Sequence, residues 1–210
     1  LKNQNKIFSA IALISLSVLS YLGYQRFIAE PKETEAISEL NQAQYFFELA
    51  LISDESDSLF KLALNGGEGK YGFLDIVDEY SGTKAANLAN YSIGMSYLNL
   101  KEYNKAIVYL EKFNSDDILL KSISLGTIGD CFSELNQQEE AYEYYQKAFK
   151  NNENIYTTPK YLYKAALIGS ELGKYRSAIN YLNRIKEEFP DSYESDLVEV
   201  QLGRIENLNN

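Results

Sequence analysis

Side chains able to perform acid–base, nucleophilic or metal chemistry are scarce in this chain of 210 residues. There is no His, so the commonest general base and metal ligand are missing, and catalytic triads or zinc sites built on His are excluded. The single Cys, Cys131, cannot form an intrachain disulfide. It lies between Gly129 and Phe132 in a helical pattern, which predicts a buried and unreactive thiol.

The carboxylates give no catalytic set either. Adjacent carboxylates diverge around a helix and are typical of a solvated surface. The chain has such pairs at Asp116/Asp117, Glu139/Glu140 and Glu187/Glu188. A glycosidase would need two carboxylates facing each other across a cleft. We expect no catalytic residue, no cofactor and no metal, and hence a protein that is not an enzyme.

A glycine-rich stretch at residues 65–69 is the remaining candidate for ligand chemistry. In a phosphate-binding loop a strand comes first, and the Gly-Lys pair is followed by Ser or Thr. Here Lys70 is followed by Tyr71, and no strand pattern precedes the glycines. The stretch therefore predicts a structural loop.

Net charge limits the class of partner. The chain has 20 Lys and Arg against 30 Asp and Glu, a net charge of -10. Residues 1–33 carry +2, because they hold four basic and two acidic residues, and residues 34–210 carry -12. An acidic surface disfavours nucleic-acid backbones and anionic lipid surfaces. We expect protein partners, no nucleic acid and no small-molecule substrate.

Residues 7–25 contain no charge and are bracketed by Lys6 and Arg26. At 1.5 Å per residue this run reaches about 28 Å, close to the thickness of one hydrocarbon core. Tyr21 and Tyr24 fall where interfacial aromatic residues lie. The run predicts a single transmembrane helix, with residues 1–30 as a membrane anchor and residues 31–210 as one exported domain. Pro31 is expected to end or kink this helix.

Two other interpretations of the run stay open: a buried core helix and a cleaved signal peptide, for which residues 18–20 offer only an approximate cleavage site. A lipoprotein signal is excluded, because no Cys stands directly after the run. Basic residues flank it evenly, so orientation rests on the usual behaviour of N-terminal anchors, which export the C-terminal part. Because residue 1 is Leu and not Met, we expect further residues upstream of Leu1.

Four small residues share one face of the predicted anchor helix, at Ser9, Ala12, Ser20 and Gly23. Small residues allow transmembrane helices to approach closely, which makes this face a candidate contact with another membrane helix. A span with scattered Ser residues is the alternative interpretation.

Three later segments repeat one pattern, in which a small residue is followed twelve positions later by Ala. The pairs are Gly94/Ala106, Gly129/Ala141 and Ala166/Ala178, with Leu110, Tyr145 and Leu182 each four residues further on. Successive pairs are 35 and 37 residues apart. Small residues at these places let two helices pack closely, and the larger side chain fills the space between them. A helical bundle with Ala at its contacts is the alternative.

The pattern resembles the tetratricopeptide repeat, a helix–turn–helix unit of 34 residues. The resemblance implies an all-α fold: a single transmembrane helix followed by an α-solenoid with three clear repeats, a degenerate repeat at residues 34–84 and a capping helix at residues 192–207. Leu197, Val200, Leu202 and Ile205 are expected to form the apolar face of that cap. Three positions depart from the repeat pattern: Gly169, Phe113 and Ile185.

The resemblance also implies a protein-binding groove on the first helices of the repeats. The candidate residues are Tyr91, Met95, Leu98, Tyr163 and Leu167. Some tetratricopeptide domains hold a peptide carboxylate in a clamp of basic and amide side chains. Here only Lys160 and Lys164 are compatible with that clamp, whereas Asp130 would repel a carboxylate, so a clamp of this kind is not expected. Aromatic residues and Met suit an adaptable protein surface. The alternative interpretation is that several of these side chains are packed under neighbouring residues.

The predicted membrane anchor, the repeats and their order along the chain together resemble the ancillary subunit of the bacterial SecYEG translocon. This is a family of membrane-anchored periplasmic tetratricopeptide proteins. The resemblance implies a non-catalytic subunit in the inner membrane, single-pass with its C-terminal domain in the periplasm. It also implies the SecYEG channel and a membrane-anchored prolyl-isomerase-like chaperone as partners. The alternative is a generic membrane-anchored scaffold for another envelope or secretion assembly.

Overall fold

The computed structural model describes residues 2–67 and 69–208, and these are helical apart from short turns and one isolated β-bridge. The α-helices are α1 Lys2–Tyr24, α2 Glu30–Ala50, α3 Ser56–Asn65, α4 Phe73–Glu79, α5 Lys84–Asn99, α6 Tyr103–Lys112, α7 Ile118–Glu134, α8 Gln138–Asn151, α9 Thr158–Glu171, α10 Tyr175–Glu188 and α11 Val198–Leu208. A π-helical turn, Gln25–Ala29, joins α1 to α2, and a 3₁₀ turn, Tyr193–Leu197, precedes α11. The all-α prediction is confirmed.

The first two α-helices follow one another through a π-helical turn without a gap, so the prediction that Pro31 ends the helix is wrong, whereas a kink there stays a prediction. Through the π turn the Glu30 amide donates to the Gln25 carbonyl, five residues back. Pro lacks an amide hydrogen, and in an α-helix its ring meets the carbonyl four residues back. The wider π turn immediately before Pro31 takes up that misfit. The chain therefore passes Pro31 without leaving the helix.

The long helix is apolar in its N-terminal half and amphipathic in its C-terminal half. One stretch of it, Phe8–Ala50, is long and apolar enough to cross a membrane, and the most apolar part of that stretch has no buried residue. In α2 the buried residues instead recur every three or four positions: Ala36, Leu40, Ala43, Phe47 and Ala50. This spacing places them on one side of the helix. The Phe47 ring lies 5.7 Å from that of Phe60 and 6.1 Å from that of Phe73.

A side chain at the start of α2 also caps the N-terminal end of α5. The Glu33 carboxylate accepts hydrogen bonds from the amides of Lys84 and Ala85, at 2.7 and 3.0 Å. Those amides have no partner within their own helix, and a carboxylate there is stabilised by the helix dipole. Lys32 adds a hydrogen bond from its ammonium group to the Ser81 carbonyl, at 3.1 Å. The long helix is thus fastened to the N-terminal end of α5 within the first part of the chain.

The glycine-rich stretch is a tight structural loop, as predicted, although Glu68 lies outside the described residues. Gly66 has a φ of 70°, and a Cβ there would lie 2.1 Å from the Lys70 carbonyl oxygen. Gly67 and Lys70 exchange backbone hydrogen bonds of 3.2 and 3.0 Å. Only Gly fits where two backbones approach this closely.

From α5 to α10 the helices form three antiparallel pairs with equivalent turns. Lys101, Asn136 and Gly173, spaced by 35 and 37 residues, each have φ between 57° and 72°. After each of them an amide donates to a carbonyl five residues back: Glu102 to Tyr97, Gln137 to Phe132 and Lys174 to Gly169. A left-handed residue followed by such a bond is a common way to end a helix. The same turn in the same register confirms the repeat.

The predicted small-residue contacts lie between the two helices of each pair. A Cβ on Gly94 would lie 2.4 Å from the Leu110 side chain, and one on Gly129 would lie 2.7 Å from Tyr145. Ala106, Ala141, Ala166 and Ala178 are almost fully buried. The departures from the pattern also have structural reasons. Gly169 leaves room for the ring of Tyr142, and Phe113 and Ile185 are buried.

The capping helix differs from its prediction in register. Val198 and Ile205 are buried and Leu202 is half-buried, whereas Val200 is 59 % exposed. Ser192 accepts the Ser195 amide and starts a 3₁₀ turn, so the α-helix begins only at Val198. Residues 198, 202 and 205 then share one face, and residue 200 points away from it.

The described chain divides into two compact units, with the boundary between Ala89 and Asn90. The first holds the long helix, α3, α4 and the first turns of α5 up to Ala89, and the second holds the rest of α5, α6 to α10 and α11. The predicted separation of residues 1–30 from residues 31–210 stays a prediction, as does a degenerate repeat at residues 34–84.

Candidate protein-binding face

Two first helices of the pairs, α7 and α9, meet at a notch formed by Gly126 of α7. A Cβ on Gly126 would lie 1.9 Å from Cε1 of Tyr161 and 2.5 Å from its hydroxyl. The Tyr161 ring therefore lies directly against the α7 backbone, and it stacks on Tyr145 with ring centres 6.4 Å apart. Only Gly at position 126 allows α9 to place an aromatic ring there.

A charged network lies beside this notch. The Asp130 carboxylate accepts a hydrogen bond of 2.7 Å from the Tyr145 hydroxyl and forms an ion pair of 2.5 Å with Lys164. Burial, and then the Asp130 charge, raises the pKa of Tyr145 well above its usual value, and the same two causes raise that of Tyr161. These tyrosines stay neutral, and the Tyr145 hydroxyl is kept as a donor. The network joins α7, α8 and α9 through one carboxylate.

The network borders an open cavity of about 520 Å³, within the range of ligand pockets. A second hydrogen bond at its wall joins the Tyr103 hydroxyl to Glu134, at 3.1 Å. The lining residues are Leu98, Asn99, Lys101, Tyr103, Asp130, Ser133, Glu134, Tyr145 and Lys164. Two carboxylates and two ammonium groups face the cavity, so it is polar without a strong net charge.

All five predicted groove residues are half-buried on α5 and α9. Leu98 lines the cavity. The Tyr91 ring packs on Phe113 with centres 5.2 Å apart, and burial raises the Tyr91 pKa. The Tyr163 hydroxyl accepts from the Gln201 amide at 3.1 Å, which ties it to α11. Met95 and Leu167 lie on the same two helices. That the five act as one groove stays a prediction.

The two lysines considered for a carboxylate clamp differ in their surroundings. Lys164 pairs with Asp130, and Lys160 is exposed, 5.5 Å from the Tyr161 ring centre. Asp130 does not stand alone as a repelling charge, because Lys164 compensates it. This ion pair reduces the repulsion of a carboxylate that the sequence predicts for Asp130, and the absence of a clamp stays a prediction.

Of the four small residues proposed as a membrane-helix contact, Ser9, Ala12 and Ser20 are exposed and Gly23 is half-buried. A Cβ on Gly23 would meet no other atom within 4 Å. All four lie on α1. Their role as a contact stays a prediction.

Cys131 is fully buried on α7, as predicted. Burial, and then the Asp130 charge, raises the pKa of its thiol to about 12. Because the thiolate is the reactive form, this environment keeps the sulfur inert near neutral pH.

Sequence reasoning missed the network of Asp130, Tyr145 and Lys164. One signal was available: Tyr145 replaces the Leu found at the equivalent place in the other two repeats, and a buried Tyr hydroxyl needs a polar partner. The Gly126 notch had no such signal, because the ring that fills it comes from a residue 35 positions later in another helix.

Comparison with known protein families agrees with this geometry. Models of the tetratricopeptide repeat match residues 89–115 and 123–155, and a second model of the same repeat matches residues 160–192. These segments coincide with the three helix pairs. No curated protein matches the chain. The chain thus carries tetratricopeptide repeats, which ordinarily serve as non-catalytic scaffolds for protein interactions.

Proposed function

We propose that this chain is a single-pass membrane protein whose tetratricopeptide repeats bind protein partners beside the bilayer. The observation that carries the proposal is the helix Phe8–Ala50, which is exposed and apolar at one end and packed into the first compact unit at the other. The length and apolar composition of its first half suit a bilayer and support the proposal. It leaves no flexible linker between the membrane and the cap that Glu33 provides to α5.

Charge and surface chemistry favour proteins over lipid or nucleic acid as partners. Residues 34–210 carry a net charge of -12, which disfavours anionic headgroups and phosphate backbones. The cavity at Asp130 offers acceptors, donors and the apolar side chain of Leu98, a mixture that suits polypeptide. The groove residues Tyr91, Met95, Tyr163 and Leu167 extend the same surface in this proposal.

The finer assignment is to the Sec protein-export channel. It rests on the order of anchor and repeats, which resembles the ancillary SecYEG subunits. In this assignment the protein lies in a bacterial inner membrane with residues 31–210 in the periplasm. There it contacts the channel through the anchor and a prolyl-isomerase-like chaperone through the groove. The second candidate is a generic scaffold for another envelope or secretion assembly, which the same anchor and repeats would serve.

Membrane insertion and orientation are tested in cells that express the full chain. The proposal expects the protein to stay in the membrane fraction after extraction with alkaline carbonate. It also expects external protease to digest residues 34–210 in spheroplasts but not in intact cells. Release by carbonate or cleavage near Ser20 would contradict the anchor, and protection in spheroplasts would contradict the orientation.

Partner binding is tested by cross-linking in membranes, followed by detergent solubilisation and co-purification. Leu at both Ser20 and Gly23 is expected to reduce recovery of the channel. Leu98→Gln is expected to reduce recovery of the chaperone, since Leu98 lines the cavity. Leu88→Gln on the same helix is the matched control, because Leu88 is 38 % exposed outside that lining. Recovery of unrelated envelope proteins in place of channel and chaperone would favour the generic scaffold.

A further inference from the structure

The loop between α8 and α9 presents two large apolar side chains to solvent. Ile155 is 69 % exposed and Tyr156 is 72 % exposed. The loop lies where the interval between repeats lengthens to 37 residues, three more than the 34 of the usual repeat. Extra residues in a connection are normally polar, since they stay in water. Here the additional chain instead exposes apolar surface.

A network of hydrogen bonds around Asn154 holds this loop in one conformation. The Asn154 side-chain oxygen accepts from the amides of Tyr156 and Thr157, at 2.9 and 2.8 Å. Its side-chain nitrogen donates to the Asn152 carbonyl and to the Thr157 hydroxyl, at 2.9 and 2.8 Å. The Asn154 amide donates to Thr158 at 2.8 Å. The exposure of Ile155 and Tyr156 is therefore built into the loop.

Opposite the loop, the end of α10 supplies a second wall. Phe189 is half-buried and packs on the core, and Pro190 follows it. Between the walls lies a cavity of about 350 Å³, lined by Ile155, Tyr156, Glu188, Phe189, Pro190, Asp191 and Ser192. This volume is at the small end of ligand pockets. It suits one or two inserted side chains better than a folded surface.

Arg184 fastens the two walls to each other. Its guanidinium forms an ion pair with Glu153 of the loop at 3.0 Å and two hydrogen bonds with Glu188 of α10, at 3.0 and 2.8 Å. These hydrogen bonds hold the Glu188 pKa below its usual range and raise that of Arg184. A groove fixed before binding loses little conformational entropy when it is filled.

The charged side chains at the edge of this groove determine which kind of ligand it can bind. Arg184 compensates Glu188, whereas the Asp191 carboxylate has no ion pair or hydrogen bond among the described residues. The groove thus combines an apolar floor with an uncompensated negative charge. An anionic lipid surface would be repelled there, and a basic group would be attracted.

We propose that the groove between the α8–α9 loop and the end of α10 binds an extended protein segment that carries an aromatic side chain flanked by basic residues. The aromatic ring fills the space between Ile155, Tyr156 and Phe189, and a flanking basic group pairs with Asp191. This site is separate from the Asp130 cavity and does not rest on the membrane anchor or on the Sec assignment.

The test uses the full chain in nanodiscs of zwitterionic lipid and a fluorescein-labelled synthetic peptide with one Phe flanked by Lys. Matched peptides carry Glu in place of Lys, or Ser in place of Phe. Fluorescence anisotropy is expected to show binding of the Lys-flanked Phe peptide at least tenfold tighter than either matched peptide. Empty nanodiscs give the blank.

Two substitutions locate the site. Ile155→Ser combined with Tyr156→Ser is expected to weaken binding at least tenfold, and Asp191→Asn about threefold. Helical circular dichroism should be unchanged, because these side chains are exposed. Tyr193→Ser is the control: Tyr193 is 74 % exposed and lies outside the groove lining, so binding should stay the same.

Three results would overturn the proposal. The first is that the Lys-flanked Phe peptide does not bind. The second is that the Glu-flanked peptide binds as tightly as the Lys-flanked one. The third is that Tyr193→Ser weakens binding as much as the double substitution at Ile155 and Tyr156. Sedimentation of the nanodisc sample measures the oligomeric state as a further test. A dimer that the double substitution dissociates would assign the groove to a second copy of the chain instead.

Discussion

Close helix contacts in the repeats depend on individual small residues. Ala141 is fully buried, and its carbonyl oxygen would lie 3.3 Å from a Cβ placed on Gly129. Ala141→Leu is expected to overpack this contact and lower the free energy of unfolding by roughly 1–3 kcal/mol. The measurement is chemical denaturation followed by circular dichroism.

Glu143, two residues further on the same helix, provides the control for that substitution. It is exposed, so Glu143→Ala should change the free energy of unfolding by no more than about 0.5 kcal/mol. Equal effects of the two substitutions would show that the register assigned to α8 is wrong.

At the scale of elements, the turns between paired helices carry a strain that substitution can relieve. Lys101 has a φ of 61°, a left-handed conformation that costs a residue with a side chain roughly 1–2 kcal/mol. Gly173 occupies the same place in the third pair without that cost. Lys101→Gly is therefore expected to raise the free energy of unfolding by about 0.5–1 kcal/mol, after the greater entropy of Gly in the unfolded chain is subtracted.

The matched control changes the same residue type inside a helix. Lys147 is exposed in the middle of α8, where Gly lacks helix propensity, so Lys147→Gly should lower stability by about 1 kcal/mol. A loss of stability on Lys101→Gly would contradict the assignment of this turn.

These elements also show what the sequence could and could not predict. Spacing gave the three helix pairs, because small residues must recur wherever two helices touch. It did not give the continuous helix through Pro31, since the compensating π turn depends on backbone geometry that no residue type marks. The predicted register of α11 was wrong at Val200, because Ser192 starts a 3₁₀ turn and shifts the start of the helix. Long-range partners such as Tyr161 for Gly126 follow from tertiary packing alone.

At the scale of the whole molecule, buried tyrosines give the repeat region a characteristic response to alkali. Burial is the main cause that raises the pKa of Tyr144 and of Tyr181 to about 12, and it raises those of Tyr145 and Tyr161 further. An unfolded Tyr loses its proton near pH 10. Above that pH the unfolded chain releases protons that the folded chain keeps, so stability is complete below pH 10 and falls as the pH rises.

Each tyrosine that stays protonated in the fold should lower stability by about 0.8 kcal/mol at pH 10.5 relative to pH 8. Denaturation at the two pH values measures this loss. Tyr145→Phe removes one such hydroxyl and is expected to reduce the loss by about that amount. Tyr193→Phe changes an exposed ring and should leave the loss as it is in the natural sequence. An identical loss in both variants would contradict the role of burial.

The unbroken helix from Phe8 to Ala50 has a mechanical consequence in the proposed bilayer. A transmembrane helix tilts when its apolar length exceeds the local thickness of the hydrocarbon layer. Because α1 and α2 are one helix and Glu33 fastens α2 to α5, a change in tilt turns the first compact unit by the same angle. Bilayer thickness would thereby set the direction in which the first compact unit faces.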